Sequence, residues 1–535
     1  MPPDLTPPIT LAALLPELVV LTAGCVALLL GQAATRAARE AIPWVCFIGL
    51  ALALAVLRFG GDPSVDGEIR SGLLMGPLAH FVRLAALILG AVILLVSWSQ
   101  PSTEEAGEFF SMAMFSLCGL MLVGAAADLV VLFMALELVS IPTYVMVALS
   151  RRGLKPLEAG TKYFYLGALA AAITAYGFTF LYGVAGGARM DATAINNIAA
   201  ALNTPGTTAY ALATIGVVVS IGGLLFKIAA VPLHFYIADV YEGAASPVAG
   251  LLGFVPKLAG LAAIFAIAGL TDWRTTSGGL FWLLWIVAGL SMTVGNVLAL
   301  RQTNVKRLLA YSGIAHSGYM LVGILAGPDR GIGAAGDGLA AVLYYAVVYG
   351  IANLGAFALL GLLQVRGAAC ETVRDLAGLV RRHPGPALLM ALAMMTLMGL
   401  PPAPGFWGKL SLFGSALAVS REAPPESSSW LVALVIIAVI NTAIGAAYYL
   451  RVIAAVLLYE AERTAEPAPR EAQHIGATLC GFLLLMFSFF PSVLLNAGRH
   501  ATLTLRENRA IVLAPPEQAS PPRTQRGAEL AAETP

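Results

Sequence analysis

Apolar runs of about 20 residues, parted by short polar stretches, recur along nearly the whole chain. That is the length a helix needs to cross a bilayer. A run such as LVALVIIAVINTAIGAAYYL, Leu431 to Leu450, shows no alternation of apolar and polar positions. Membrane-barrel strands alternate, and only helices and closed barrels satisfy their backbone groups in hydrocarbon. The runs are therefore helices. They predict 14 spans, at 11–31, 42–58, 78–97, 108–125, 128–149, 161–184, 210–230, 244–270, 281–300, 306–326, 338–364, 386–418, 430–458 and 474–497. The first run lacks the basic flank of a secretory signal and is expected to be retained as a span. From Gly498 onward the chain turns polar and Pro-rich, which predicts a disordered tail.

Basic residues between spans set the orientation. Odd-numbered loops carry fourteen: Arg36, Arg39, Arg151, Arg152, Lys155, Arg301, Lys306, Arg307, Arg366, Arg374, Arg381, Arg382, Arg463 and Arg470. Even-numbered loops carry six: Arg58, Arg70, Arg189, Arg274, Arg330 and Arg421. Odd loops are thus expected on the cytoplasmic side and both termini outside, although the tail's own arginines dissent.

Composition agrees. The chain is 59% hydrophobic and 11% charged, against roughly 25% charged in soluble domains. A net charge of +1 implies no nucleic-acid partner. Five scattered cysteines form no CxxC pair, so zinc and iron–sulfur sites of that type have no support. Gly331 to Gly336 matches G-x-G-x-x-G, but no strand precedes it, and it reads as a loop rather than a nucleotide site.

The basic residues within the predicted spans are Arg83, Lys162, Lys227, Lys257, Lys409 and Arg451, so four of six lysines are expected inside the membrane. Arginine keeps its proton in proteins, whereas a desolvated lysine can release one near neutral pH. Glu137 lies mid-span in LVVLFMALELVSIPTYVMVAL with Pro142 after it. A carboxylate at that depth costs at least about 2.5–3.5 kcal/mol unless paired. Lys162 and Lys227 are its candidate partners. Lys227 precedes Pro232, Lys257 follows Pro256, and Lys409 lies in GLPPAPGFWGKLSLF. Prolines and glycines there predict interrupted helices, which are tolerated only where they face protein or an aqueous cavity. Glu137 to Lys227 spans 90 positions and His316 to Lys409 spans 93. The second residue of each pair adjoins a broken span. Two related five-helix units are therefore predicted, spans 4–8 and 9–13, of the kind transporters invert.

Five segments carry a resemblance: ALELVSIPTYVMVAL (135–149), KYFYLGALAAA (162–172), FKIAAVPLHFYIADVYEGAASPVAG (226–250), GNVLALRQTNVKRLLAYSGIAHSGYMLVG (295–323) and GLPPAPGFWGKLSLF (399–413). The chain resembles, from about residue 10 to 495, the antiporter-like membrane subunits of respiratory complex I. The likeness is to the subunit N branch of bacterial NADH–quinone oxidoreductases, counterpart of mitochondrial subunit 2. Sister subunits L and M and multisubunit sodium/proton antiporters differ after the position of Pro232. The resemblance implies an all-α integral membrane fold of about 14 helices, two inverted five-helix repeats and interrupted helices 7 and 12. The implied layout is a three-helix segment 1–107, units at 108–270 and 281–458, a last helix at 474–497 and the tail 498–535.

The implied function is proton translocation through Glu137, Lys162, Lys227, Lys257, His316 and Lys409. No metal or cofactor is expected in this chain; NADH, FMN, iron–sulfur clusters and quinone would belong to partner subunits. Expected neighbours are an antiporter-like subunit of the M type, a small subunit of the K type and membrane lipids, in the bacterial inner membrane. The family commonly has Trp at Tyr236, Pro at Ala238 and Ala245, and Thr-Ala at Ala403-Pro404, so the shape of the breaks is where this chain departs. Two other readings of the same residues are a subunit of a sodium/proton antiporter or membrane hydrogenase, and a scaffold whose polar residues only lock helices.

Overall fold

The computed structural model describes residues 11–59, 72–185, 198, 208–270, 279–329, 336–365, 368–423, 425–460 and 465–513. Its helices are α1 (Leu15–Gly31), α2 (Arg36–Glu40), α3 (Ile42–Phe59), α4 (Pro77–Ser97), α5 (Ala106–Ala125), α6 (Leu129–Leu149), α7 (Leu154–Val184), α8 (Thr208–Lys227) and α9 (Ile237–Gly243). They continue with α10 (Ser246–Ala268), α11 (Gly279–Leu300), α12 (Val305–Ala326), α13 (Gly338–Leu362), α14 (Pro384–Met398), α15 (Pro404–Glu422), α16 (Pro425–Leu457), α17 (Glu471–Phe489) and α18 (Pro491–Leu513). Among the described residues, 12 helices are long and apolar enough to cross a membrane. With α1 and the interrupted pair α14–α15, these supply the fourteen expected crossings.

The order of elements repeats. In α5–α10 and again in α11–α16, two closely packed helices are followed by a third, then a helix broken in two, then a fifth. Five crossings are an odd number, so the second unit starts on the opposite face and runs inverted. Local devices recur at matching places. Asp128 caps α6 by accepting from the Val130 and Val131 amides, and Asn304 caps α12 by accepting from those of Lys306 and Arg307. Each cap satisfies amides that a helix start leaves unpaired.

Glycine recurs too. A Cβ on Gly119 of α5 would stand 2.7 Å from the Val139 nitrogen of α6, and one on Gly295 of α11 would stand 2.6 Å from the Ala315 nitrogen of α12. Backbone meets backbone at both crossings, as small residues allow in membrane bundles.

Three central helices, α10, α12 and α13, have 94% of their most apolar window buried. The other crossings surround them and expose Leu, Ile, Val and aromatic side chains outward. Trp44 packs edge-on against Trp98 on the odd-loop side, and Trp282, Trp285 and Trp430 cluster on the even-loop side. Such belts mark the two water–lipid interfaces.

Two features lie outside the expected all-helical plan. A small antiparallel sheet, β1 (Leu363–Val365), β2 (Ala368–Ala369) and β3 (Glu466–Pro467), joins the α13–α14 and α16–α17 connections in the order β2-β1-β3. The span expected at 474–497 ends at Phe489, since Pro491 cannot continue it. Helix α18 then runs through residues expected to begin a disordered tail. It packs on α4 and α13, with Thr502 donating to Asp337 at 2.9 Å. Most of the G-x-G-x-x-G loop, 331–335, lies outside the described residues.

The crossing of α11 and α12 has a direct check. Gly295→Ala should destabilise the protein by about 1–3 kcal/mol through overpacking. Gly289→Ala on the same helix, where an added Cβ meets nothing within 4 Å, should leave thermal stability unchanged or slightly raised. Melting of the detergent-solubilised protein separates the two.

Candidate functional site

Glu137 on α6 and the terminal residue of α8, Lys227, meet between the second and fourth members of the same unit. Lys227 Nζ lies 3.1 Å from Glu137 Oε1. It also donates to Ser140 Oγ, one helical turn along α6, while Ser140 donates to the Leu136 carbonyl at 2.7 Å. The lysine is buried, but the Glu137 side chain keeps 20% of its surface exposed. That exposed part opens on a lipid-side cavity of about 570 Å³ whose lining includes Met112, Phe115, Met134 and Ile141.

Beyond Lys227 the helix is broken until α9. The freed backbone groups are taken up by the protein, as hydrocarbon requires. The Val231 amide donates to Ser291 Oγ at 2.9 Å, Ser317 Oγ donates to the Ile228 carbonyl, and the Tyr236 hydroxyl donates to the Phe226 carbonyl at 2.9 Å. Tyr236 also stacks on Tyr163 and Phe226 with centroids 5.1 and 4.3 Å apart. An aromatic ring thus fills the position where the family commonly has Trp. Ala229 holds φ +55° at the turn.

The second break mirrors the first with its charge on the other side. Helix α14 ends at Met398, Gly399 turns the chain at φ +83°, and α15 starts at Pro404. Lys409 stands in the second turn of α15 and reaches back, donating to the Met398 carbonyl at 2.8 Å. A Cβ on Gly399 would come 2.8 Å from Lys409 Cδ, so the turn glycine also makes room for the lysine.

Lys257, mid-way along α10, donates to the Gly313 carbonyl of α12 at 2.7 Å and lies 4.4 Å from the Tyr349 ring centroid. Ser317 donates to that same Gly313 carbonyl at 3.1 Å and to the carbonyl of Ile228, next to Lys227. His316 stands at the centre. Its Nδ1 shares a hydrogen bond with the Tyr345 hydroxyl at 2.7 Å, and its Nε2 shares one with Tyr449 at 2.8 Å. The Tyr449 hydroxyl is itself bonded to Ser312. Two further tyrosines flank the imidazole, Tyr349 at 4.9 Å and Tyr319 at 5.8 Å between centroids. Tyr349 lies under Lys257, and Tyr319 lies 4.8 Å from Lys409 Nζ. Buried polar groups therefore succeed one another through the interior: Ser317 joins the Gly313 carbonyl used by Lys257 to the Ile228 carbonyl beside Lys227, and the rings of Tyr349 and Tyr319 stand between His316 and the ammoniums of Lys257 and Lys409.

Lys162 stands apart from them. The lysine does not reach Glu137; its half-exposed ammonium lies 2.7 Å from Glu158 and 2.9 Å from Asp239. These line a small polar cavity with Lys155 and Glu242. Unlike Lys227, Lys257 and Lys409, Lys162 is not buried: it stands half-exposed in the third turn of α7, a helix long and apolar enough to cross a membrane that begins at Leu154. The converse holds for Lys306. Counted with the odd loops although the tenth predicted span begins at it, it is fully buried in the first turn of α12.

The two arginines within the spans, buried Arg83 and half-buried Arg451, serve as fasteners. Arg83 grips Glu17 of α1 through two hydrogen bonds of 2.6 and 3.0 Å, and Arg451 donates to the Leu300 and Gln302 carbonyls at the end of α11. Sequence reasoning passed over Ser140 and the tyrosines. Their signal was available in part: Tyr345 and Tyr349 are four apart, on one face of an apolar helix, and buried tyrosine hydroxyls need partners. Among the described residues no three His, Cys, Asp or Glu side chains gather as metal ligands.

The family model described as NADH:quinone oxidoreductase/Mrp antiporter, TM, matches residues 126–447. NADH-quinone oxidoreductase subunit N of Trichlorobacter lovleyi is 36% identical over 453 residues, 83% of this chain and 87% of that protein. The subunit N of Rhodospirillum rubrum is 36% identical over 497 residues, covering 92% of this chain and 96% of its own. A chain in the structure of respiratory complex I from Thermus thermophilus with bound aureothin superposes with a TM-score of 0.73 at 28% identity, covering 91% of this chain and 99% of that one.

Tyr349→Phe should lower the rate of any proton transfer along this series several-fold while leaving membrane assembly intact. The ring under Lys257 stays and only the hydroxyl is lost. Unchanged transfer in vesicles would remove Tyr349 from the path.

Proposed function

The chain belongs to the NADH:quinone oxidoreductase/Mrp antiporter membrane family, and on that premise we propose that it is a proton-translocating membrane-arm subunit of a bacterial NADH–quinone oxidoreductase. The observation that carries this reading is the series of buried polar groups that leads from the Glu137–Lys227 pair past Lys257 and His316 to Lys409 across both repeats.

Glu137 favours the ammonium form of Lys227 by Coulomb attraction, on the order of 4 kcal/mol at an effective dielectric constant near 20. When a neighbouring subunit weakens that pair, the Lys227 ammonium releases its proton and becomes an amine. The Lys257 amine takes the proton up and becomes an ammonium. Release from Lys257 passes the proton by way of His316, whose two ring nitrogens face two hydroxyls, to the Lys409 amine. Lys409 exchanges it with the opposite side. Moving one charge against the membrane potential costs about 2.3 kcal/mol per 100 mV.

The energy is supplied by redox chemistry elsewhere, with NADH, FMN, iron–sulfur clusters and quinone held by partner subunits. Neighbours of the M and K types flank the chain. The exposed edge of Glu137 is suited to receive their influence. The chain resides in the bacterial inner membrane, odd loops on the cytoplasmic side and both termini periplasmic, with lipids around it. Lys162 belongs to the polar vestibule of the odd-loop face rather than to the buried line.

A sodium/proton antiporter subunit is the second reading, favoured by the family's breadth. It predicts sodium-dependent transport without NADH dehydrogenase subunits co-purifying. A scaffold predicts that substitutions harm assembly alone.

Glu137→Ala, Lys227→Ala and Lys409→Ala, each in assembled complex, should abolish or strongly reduce proton pumping per NADH oxidised. Pumping is read as acidification of inverted vesicles. Parent-like pumping in all three would sink the proposal.

A further inference from the structure

Lys306 is the one fully buried lysine that the transfer line does not use, and its partners occupy the corner where the line's elements meet. Its Nζ donates to the Ala244 carbonyl at 3.0 Å. Ala244 links the half-helix α9 to α10, the helix of Lys257. The next residue, Ala245, donates its amide to Ser150 Oγ at 3.1 Å. Ser150 ends α6, the helix of Glu137. Lys306 itself starts α12, the helix of His316. A two-residue corner thus joins the helices of Glu137, Lys257 and His316 to the short continuation of the broken helix that ends in Lys227.

The adjacent residue grips the same element from the side. Arg307 donates to Asp239 at 2.9 Å and to Glu242 at 2.7 Å, both on α9. Outward, Lys306 Nζ lies 3.7 Å from Glu371 Oε1, which accepts a hydrogen bond from Arg151 at 3.0 Å. Burial alone would raise the Glu371 carboxyl, but Arg151 and Lys306 outweigh it and hold it below the usual carboxylate range. Glu371 is fixed in place, because its carbonyl accepts from the Val305 amide at 2.8 Å and Val373 donates to Thr303 at 3.1 Å. Lys306 thus ties the α9–α10 corner to Glu371 of the α13–α14 loop, and Arg151 ties Glu371 on to the α6–α7 loop.

A buried ammonium that donates to a carbonyl and lies beside a carboxylate is a charge-assisted fastening. Removing it would take the ammonium from the buried Ala244 carbonyl and leave Glu371 to Arg151. We propose that Lys306 is a positioning residue for proton transfer: it locks the Ala244–Ala245 corner so that Glu137, Lys227, Lys257 and His316 keep their register, and through Glu371 and Arg151 it couples that register to the odd-loop face. The inference rests on the proton-transfer reading above. It assigns Lys306 a charge to hold, not a proton to pass.

Arginine separates these roles, because it can hold both partners but cannot release a proton. In assembled complex, Lys306→Met should lower pumping per NADH oxidised about tenfold, the scale of one lost charge-assisted hydrogen bond. It should also speed amide exchange across residues 237–245. Lys306→Arg should restore most of the pumping and the slow exchange. Glu371→Gln, a milder change, should give a partial loss with the same exchange signature.

Parent-like pumping in Lys306→Met, or Lys306→Arg as inactive as Lys306→Met, overturns the inference. If Lys306→Met does not assemble, Lys306→Arg and Glu371→Gln decide, and parent-like pumping and exchange in Glu371→Gln overturn it. Lys227→Ala is measured alongside. If that variant pumps normally, the transfer reading itself fails; if it does not pump while Lys306→Met does, only the role of Lys306 falls.

Discussion

Hydrocarbon offers no water to a carbonyl or an amide, and two broken helices deep in this protein release several of each. Everything at the site follows from how these groups are satisfied. Serines on α11 and α12 and the Tyr236 hydroxyl bond the groups freed after Lys227. Lys409 itself bonds the carbonyl freed at Met398. The breaks therefore require polar side chains from surrounding helices, and those side chains line up into a route across the molecule. A straight, unbroken bundle of the same composition would have neither need nor place for them.

The two kinds of basic residue divide the work along physical lines. Arg83 and Arg451 hold several acceptors at once and fasten helix ends, a task suited to a planar group that stays charged. Lys227, Lys257 and Lys409 each have few partners: a carboxylate and a hydroxyl for Lys227, a carbonyl and an aromatic face for each of the other two. A lysine so lightly held can exist with or without its proton. Lys306 is a lysine placed like an arginine, between a carbonyl and a carboxylate. Its surroundings rather than its residue type argue for a fastening role.

Inversion of the repeats accounts for the asymmetry of the two breaks. Matching caps at Asp128 and Asn304 and matching glycines at 119 and 295 show two units built alike. Yet the first places its lysine before the break and the second places it after. His316 lies between the two, in a ring of four tyrosines.

Residue order alone determined the membrane-spanning helices, the interrupted spans and the pairing of Glu137 with a lysine. Hydrocarbon imposes length, apolarity and charge pairing locally, and proline and glycine announce a break from within a few residues. The sequence could not choose between Lys162 and Lys227 as partner for Glu137. That depends on where α7 begins and how it tilts, and the fold set Lys162 against Glu158 and Asp239 instead. Nor could it show that Lys306, embedded among loop arginines, is buried. Its position is decided by the α9–α10 corner, sixty residues earlier in the chain, folding over it. The tyrosines around His316 are of the same kind: their spacing is visible in the sequence, but their partners come from α12, α13 and α16, which only packing brings together.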